Sequence, residues 1–167
     1  MAVVNELHQS CRRLAARLLE LDVGVVFAES CTAGLVAASL GRVPGISRVL
    51  CGSAVTYRDD TKARWLDVKH RTLRTDGAVS ERAAREMAVG VLLRTPEAQL
   101  AGAITGHLGP DAPAGLDGVV FVAIGRRYGK QGRASVVRFN LPAGTRLSRQ
   151  RRAALHVIRE TFAALES

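Results

Sequence analysis

Aromatic residues are scarce in this chain of 167 residues: one Trp, two Tyr and four Phe make up 4% of it. A surface that stacks nucleobases on aromatic rings has little to build from. Acidic residues are also the minority, 15 Asp and Glu against 24 Lys and Arg, for a formal net charge of +9. That excess raises a phosphate backbone as a partner. Yet lysine occurs only at Lys62, Lys69 and Lys130, and the other cations are arginines scattered along the whole chain, the pattern of a solvated basic surface. The densest groups are Arg126, Arg127, Lys130 and Arg133, read as a hairpin turn, and Arg146, Arg149, Arg151 and Arg152, read as the start of the last helix. Cys11, Cys31 and Cys51 form no close pair and cannot all be bridged, which fits a reducing compartment. No His, Cys, Asp or Glu spacing suggests a metal site, so neither metal nor cofactor is expected. No apolar run approaches the ~20 residues that span a bilayer. The N-terminus lacks the pattern of a secretory signal, and no low-complexity linker divides the chain. These absences predict one domain over residues 1–167, cytoplasmic, with no membrane and no nucleic acid as partner.

What is present alternates between two periods. Leu7, Cys11, Leu14, Ala15, Leu18 and Leu19 recur at helical spacing between Asn5 and Leu21, and a β-branched apolar run, 23–28, follows as a buried strand. Further along, helices are expected at 32–41 and 59–66, from Ser80 to about Arg94, and from about Ser148 to Leu165. Strands are expected at 48–57, 100–105, 118–125 and 134–139. Leu73 leads into a short helix or turn. The fold class this predicts is α/β: a three-layer α/β/α sandwich around a mixed sheet, with a C-terminal antiparallel hairpin.

The most informative stretch is 28–35, Ala-Glu-Ser-Cys-Thr-Ala-Gly-Leu, which places Ser30 and Thr32 at a strand-to-helix junction. If the helix begins near Thr32, its first N–H groups are unpaired and carry the positive end of the dipole, ready for an oxyanion or a phosphate. Ser30 or Thr32 as a plain N-cap is the simpler reading. Cys31 reads either as a thiolate activated by the helix terminus or as a small buried residue. After strand 48–57, Asp59 or Asp60 would cap the next helix and put Lys62 in its first turn. A cation there opposes the dipole, and partial burial would lower its pKa towards that of a useful base. A solvated lysine paired with Asp59 or Asp60 is the alternative. Thr105 and Gly106 end another strand, and Ser47 follows the Pro44-Gly45 turn, where a hydroxyl could hold a phosphate or simply face water.

Taken in order, Glu29 to Gly34, Val43-Pro44-Gly45-Ile46-Ser47, Val55-Thr56-Tyr57 with Lys62, Asp76-Gly77-Ala78-Val79-Ser80, and Ile104-Thr105-Gly106 with Gly109-Pro110 form a set. Together they resemble the nicotinamide-nucleotide amidohydrolase family, also called the CinA C-terminal domain family. The resemblance implies an amidase that deamidates nicotinamide mononucleotide to nicotinate mononucleotide and ammonia, a step of pyridine nucleotide metabolism. It maps a serine nucleophile onto Ser30, a lysine base onto Lys62 and a tyrosine that orients the lysine or relays its proton onto Tyr57. Cys31, Thr32, Gly34, Ser47, Thr105, Gly106 and Arg146 are the expected substrate-binding residues, with helix N–H groups near Thr32 and the Thr105 hydroxyl stabilising the oxyanion. The expected partners are a small-molecule nucleotide and further copies of the chain in a homo-oligomer.

The chain departs from the family pattern in three places. Segment 107–113, His-Leu-Gly-Pro-Asp-Ala-Pro, replaces small and glycine-rich residues; Asp59 stands where Asn is frequent; and Gly144-Thr145-Arg146 replaces Gly-Asp-Arg. His107 is either an acid–base group near neutral pH or an ordinary loop histidine. Longer members of the family carry a further N-terminal domain resembling molybdopterin-binding proteins, so a partner supplying that function is a further expectation. A second reading from another class is a non-catalytic nucleotide-binding or assembly subunit with the same fold. A third is a basic protein associated with nucleic acid.

Overall fold

The computed structural model describes residues 2–166. Helix α1 (Ala2–Leu21) leads into strand β1 (Val25–Glu29), then α2 (Leu35–Leu40), a single 3-10 turn (Ile46–Arg48) and β2 (Leu50–Val55). Helices α3 (Asp59–Leu66), α4 (His70–Thr75) and α5 (Glu81–Leu93) follow, then β3 (Leu100–Gly106), β4 (Val119–Tyr128), β5 (Gln131–Asn140) and α6 (Arg146–Ala163). The sheet runs β2-β1-β3-β4-β5; β2, β1 and β3 are parallel, whereas β4 and β5 add as an antiparallel hairpin. Helices α1, α2 and α6 pack together over one face and α3, α4 and α5 over the other, a three-layer α/β/α sandwich with a mixed sheet.

Two-residue alternation explains the layers. In β1, Val25 and Phe27 point into the cluster shared with Leu14, Leu18 and Ile158, while Val26 and Ala28 point into the cluster with Leu66, Met87 and Ala101. The apolar stripe of α1 lies in the first of these, as its spacing predicts. Where boundaries differ from expectation, polar chemistry is responsible. Hairpin β4–β5 runs past the predicted 118–125 and 134–139 because Tyr128 pairs with Gln131 across a two-residue Gly129-Lys130 turn. Arg126, Arg127 and Arg133 are therefore strand residues rather than turn residues. Arg127 reaches back to the end of α5, donating to Ala98 O at 2.8 Å, Thr95 O at 3.0 Å and also Leu92 O, carbonyls near a helix C-terminus.

The parallel strands bring three loops to one edge. Ser30 follows β1, the 56–58 segment follows β2, and Thr105-Gly106 ends β3, all at the carboxyl ends where open α/β sheets bind ligands. Ser47 precedes β2 and so lies at the opposite edge, by the register that pairs Leu50 with Val25 and Val55 with Glu29. Among the described residues no helix is long and apolar enough to cross a membrane.

Candidate active site

The turn that presents Ser30 is organised by Glu29, the last residue of β1. Its carboxylate is fully buried and accepts hydrogen bonds from Thr32 Oγ1 at 2.7 Å, Val36 N and Ala37 N at 3.0 Å each, and Ser53 Oγ at 3.0 Å. Residues 31–34 form turns, and α2 begins only at Leu35, not near Thr32. Neither Ser30 nor Thr32 is the N-cap. That position belongs to Gly34, whose φ of 94° suits glycine, while Glu29 satisfies the first-turn N–H groups from seven and eight residues upstream. Those N–H groups are consequently not free for an oxyanion. Thr32 points away from the cavity into the Glu29 network, and Gly34 serves the turn. Replacing Glu29 by alanine leaves four buried or half-buried donors without an acceptor. With each such donor costing about 1–3 kcal/mol, a loss of about 3–5 kcal/mol is expected after partial relaxation. The urea midpoint measures it, and an unchanged midpoint would remove Glu29 from this role.

Lys62 lies in the first turns of α3, which is capped at Arg58 rather than at Asp59 or Asp60. The Arg58 N–H donates to Thr61 Oγ1 at 3.3 Å, and Asp59 and Asp60 occupy the first helical positions, where acids favour the dipole. Lys62 is 1% exposed. Its Nζ lies 3.2 Å from Ser30 Oγ, 3.0 Å from Thr56 O, 3.4 Å from Tyr57 O and 4.0 Å from Asp59 Oδ1. Burial pushes the ammonium pKa below its ordinary 10.5, and the Asp59 carboxylate offsets part of that fall. Two carbonyls take two N–H bonds, and the third direction faces the Ser30 hydroxyl. A neutral amine so held has its lone pair on the Ser30 side.

Tyr57 contributes to this geometry through its carbonyl, not its phenol. The phenol oxygen accepts from Arg146 Nη2 at 2.8 Å, and Arg146 Nη1 donates to Gly109 O at 2.7 Å. The side chain therefore faces the mouth of the site and does not orient Lys62. Arg146 is the first residue of α6, two positions earlier than the predicted start. Thr145 is its N-cap, accepting from Ser148 N at 3.2 Å. Thr caps helices as Asp does, so the change from Gly-Asp-Arg preserves the helix start.

A cavity of about 210 Å³ joins these groups, lined by Ser30, Cys31, Tyr57, Asp59, Lys62, Ala78, Val79, Thr105 and residues 106–110, with Arg146 at its rim. Ser47 is exposed on the far edge and takes no part. Thr105 Oγ1 donates its proton to Ala78 O at 2.7 Å, tying the 76–80 segment to β3, and so is not available as an oxyanion donor. Gly106 is required by packing: a Cβ there would fall 2.4 Å from Val120 Cγ1 and 2.7 Å from Val119 O, because β4 passes so close. Burial pushes the Cys31 thiol up to about 12, which leaves it protonated and a poor nucleophile near neutral pH. His107 is half-buried in the cavity wall, with its backbone N–H donating to Val119 O at 2.9 Å.

Sequence reasoning missed Glu29 and the ion pair that the buried Arg149 makes with Asp117. Arg149 Nη1 and Nη2 grip Asp117 Oδ1 and Oδ2 at 2.6 and 2.8 Å. A carboxylate closing a run of buried residues is a signal for the first, since a charge there must find donors. No local signal marks the second.

The fold is an α/β/α sandwich around a mixed sheet, with a buried serine–lysine pair at the carboxyl edge of its parallel strands. Comparison with known proteins gives its family. The CinA C-terminal domain model matches residues 7–163. A CinA-like protein of Chlorobium limicola is 37% identical over 153 residues, 89% of this chain and 35% of that protein. The crystal structure of competence/damage inducible protein CihA from Agrobacterium tumefaciens superposes with a TM-score of 0.89 at 32% identity, covering 97% of this chain and 96% of that one. The competence damage-inducible protein A of Klebsiella pneumoniae gives 0.88 at 28% identity, covering 96% and 97%. The chain belongs to the CinA C-terminal domain family. It spans only 23% to 35% of the length of the curated relatives it matches.

Proposed function

We propose that the protein is an amidohydrolase that deamidates nicotinamide mononucleotide through a Ser30/Lys62 acyl-enzyme. The observation that carries this reading is the 3.2 Å contact between a buried lysine amine and a serine hydroxyl, with the amine's other bonds taken by Thr56 O and Tyr57 O. Lys62 accepts the Ser30 proton as Oγ attacks the carboxamide carbon. Cys31, which follows the nucleophile, lines the cavity, and its backbone N–H donates to the oxyanion. Collapse breaks the C–N bond as the Lys62 ammonium returns its proton to the leaving nitrogen, releasing ammonia. Water then attacks the ester, Lys62 takes its proton and passes it to Ser30 Oγ, and the carboxylate product leaves.

Cavity size supports an aromatic amide as the reacting group. An apolar hole of about 150 Å³ accommodates benzene, so about 210 Å³ holds one ring bearing a carboxamide. The sugar and phosphate then lie at the mouth beside Arg146, which keeps donors beyond the two it gives to Tyr57 and Gly109. The deciding experiment incubates the purified protein with nicotinamide mononucleotide and quantifies ammonia and nicotinate mononucleotide. Binding without turnover would favour the non-catalytic nucleotide-binding subunit instead. In the same assay Arg146→Ala is expected to lower kcat/KM for the nucleotide by roughly 1.5–3 kcal/mol, the range for hydrogen bonds to charged groups, and to spare the phosphate-free nucleoside. Equal losses on both substrates would place Arg146 outside the phosphate site.

A further inference from the structure

The first turns of α6 touch three walls of the cavity. Arg146, Arg149 and Gln150, spaced i, i+3 and i+4, share one helix face. Gln150 Nε2 donates to Thr32 O at 3.0 Å, in the turn that presents Ser30. Arg146 holds Tyr57 and Gly109. Arg149, only 7% exposed, forks onto Asp117 and also donates to Pro142 O at 3.2 Å and Leu108 O at 3.4 Å.

Segment 107–118, between β3 and β4, contains neither helix nor strand, and Gly109, Asp111, Gly115 and Gly118 lie in the left-handed region. Its first four residues line the cavity. Backbone hydrogen bonds pin its two ends, from His107 N to Val119 O at 2.9 Å and from Leu141 N to Gly118 O at 2.8 Å, and Leu116 closes short turns with Pro113 O and Val119 N. Between them Leu108 is buried and the arginines hold the 108–110 stretch. At Gly109 the backbone sits directly on the ion pair. A Cβ there would come within 2.8 Å of Arg149 Nη1 and 2.9 Å of Asp117 Oδ1. Any shift of the pair is therefore passed to Gly109, and through it to Leu108 and Pro110 in the cavity wall.

We propose that the Arg149–Asp117 pair is a positioning and specificity device. It sets the distance between the 107–110 wall and Ser30, and thus how tightly an amide-bearing ring is held. What the wall holds rests on the amidohydrolase reading above; that the pair holds the wall does not. Lysine cannot replace Arg149, because a single ammonium cannot engage both carboxylate oxygens and two carbonyls in a planar fork.

Two variants test this, Arg149→Lys and Asp117→Asn; the second lies on the exposed side of the pair, with the Asp117 side chain 61% exposed, and keeps the test available if the first fails to fold. Expected in each is a KM for nicotinamide mononucleotide raised roughly tenfold with kcat within about threefold, since reacting groups stay in place while the bound ring is held less well. Amide hydrogen exchange over 107–118 should accelerate, with the 30–34 turn unchanged. Unaltered KM and unaltered exchange overturn the proposal. So does a fall in kcat with KM constant, or faster exchange spread evenly over the sheet, either of which describes a general structural role. If the wild-type protein releases no ammonia from nicotinamide mononucleotide, the amidohydrolase reading fails on its own. The exchange measurement then still decides the clamp, and unchanged protection at 107–118 rejects it.

Discussion

Ser30→Ala is expected to lower the release of ammonia by at least about 10³-fold while leaving the fold intact. The scale follows from other serine hydrolases, where removing the nucleophile leaves only what binding and oxyanion stabilisation supply. The fold should survive because, among the described residues, the one hydrogen bond of Ser30 Oγ is that with Lys62 Nζ at 3.2 Å, and the turn around it is held by Glu29 and by the Ser30 N–H bond to Ile104 O at 3.1 Å. No neighbouring group can take over. Thr32 Oγ1 is committed to Glu29, and the Cys31 thiol, pushed up to about 12, is protonated at neutral pH. Cys31→Ala should accordingly retain most activity. A Ser30→Ala protein with near wild-type turnover beside an inactive Cys31→Ala would transfer the chemistry to the thiol.

Lys62 produces two measurable effects that point in opposite directions. Lys62→Arg should be nearly inactive, because guanidinium keeps the charge but cannot act as a base. Lys62→Met should be equally inactive yet more stable than the wild type at neutral pH. The sign follows from proton linkage. With its folded pKa below 10.5, Lys62 binds less proton in the native state than in the unfolded one, so the lysine costs stability below 10.5 and that cost fades as pH rises towards it. The stability advantage of Lys62→Met should therefore shrink on going from neutral to alkaline pH. Wild-type activity should rise with pH through an apparent pKa lower than that of free lysine. Thermal melts and rate profiles over the same pH series check both. An active Lys62→Arg protein would exclude Lys62 as the base.

How much of the site was legible depended on whether a residue's partner was local. The 59–66 helix is legible over the range it occupies because helical signals act within a few residues, although its cap is Arg58 and not Asp59 or Asp60. Ser30 and Lys62 were picked out by the strand–turn–helix order around each, but their meeting spans 32 positions and depends on β1 and β2 pairing in parallel. Ser47 shows the converse: a hydroxyl in a turn looks the same at either end of a strand, and register alone puts it on the wrong edge. Tyr57 was recognised as a residue, whereas which of its oxygens faces Lys62 was settled by backbone direction after β2. Thr105 and Gly106 sit where a ligand could reach, yet the hydroxyl is spent on Ala78 and the glycine on β4.

From the sequence alone came the alternation of helix and strand, the faces that turn inward and the edge at which loops could gather. These follow from periods of 2 and 3.6 residues and from burying the apolar positions. Only the tertiary structure decided which polar atoms meet. The Glu29 carboxylate, Lys62 Nζ and the Arg149 fork each have their partners set by distances of about 3 Å between positions up to 41 residues apart. Such contacts are satisfied or lost over fractions of an ångström, and helices and strands must be packed before those distances exist.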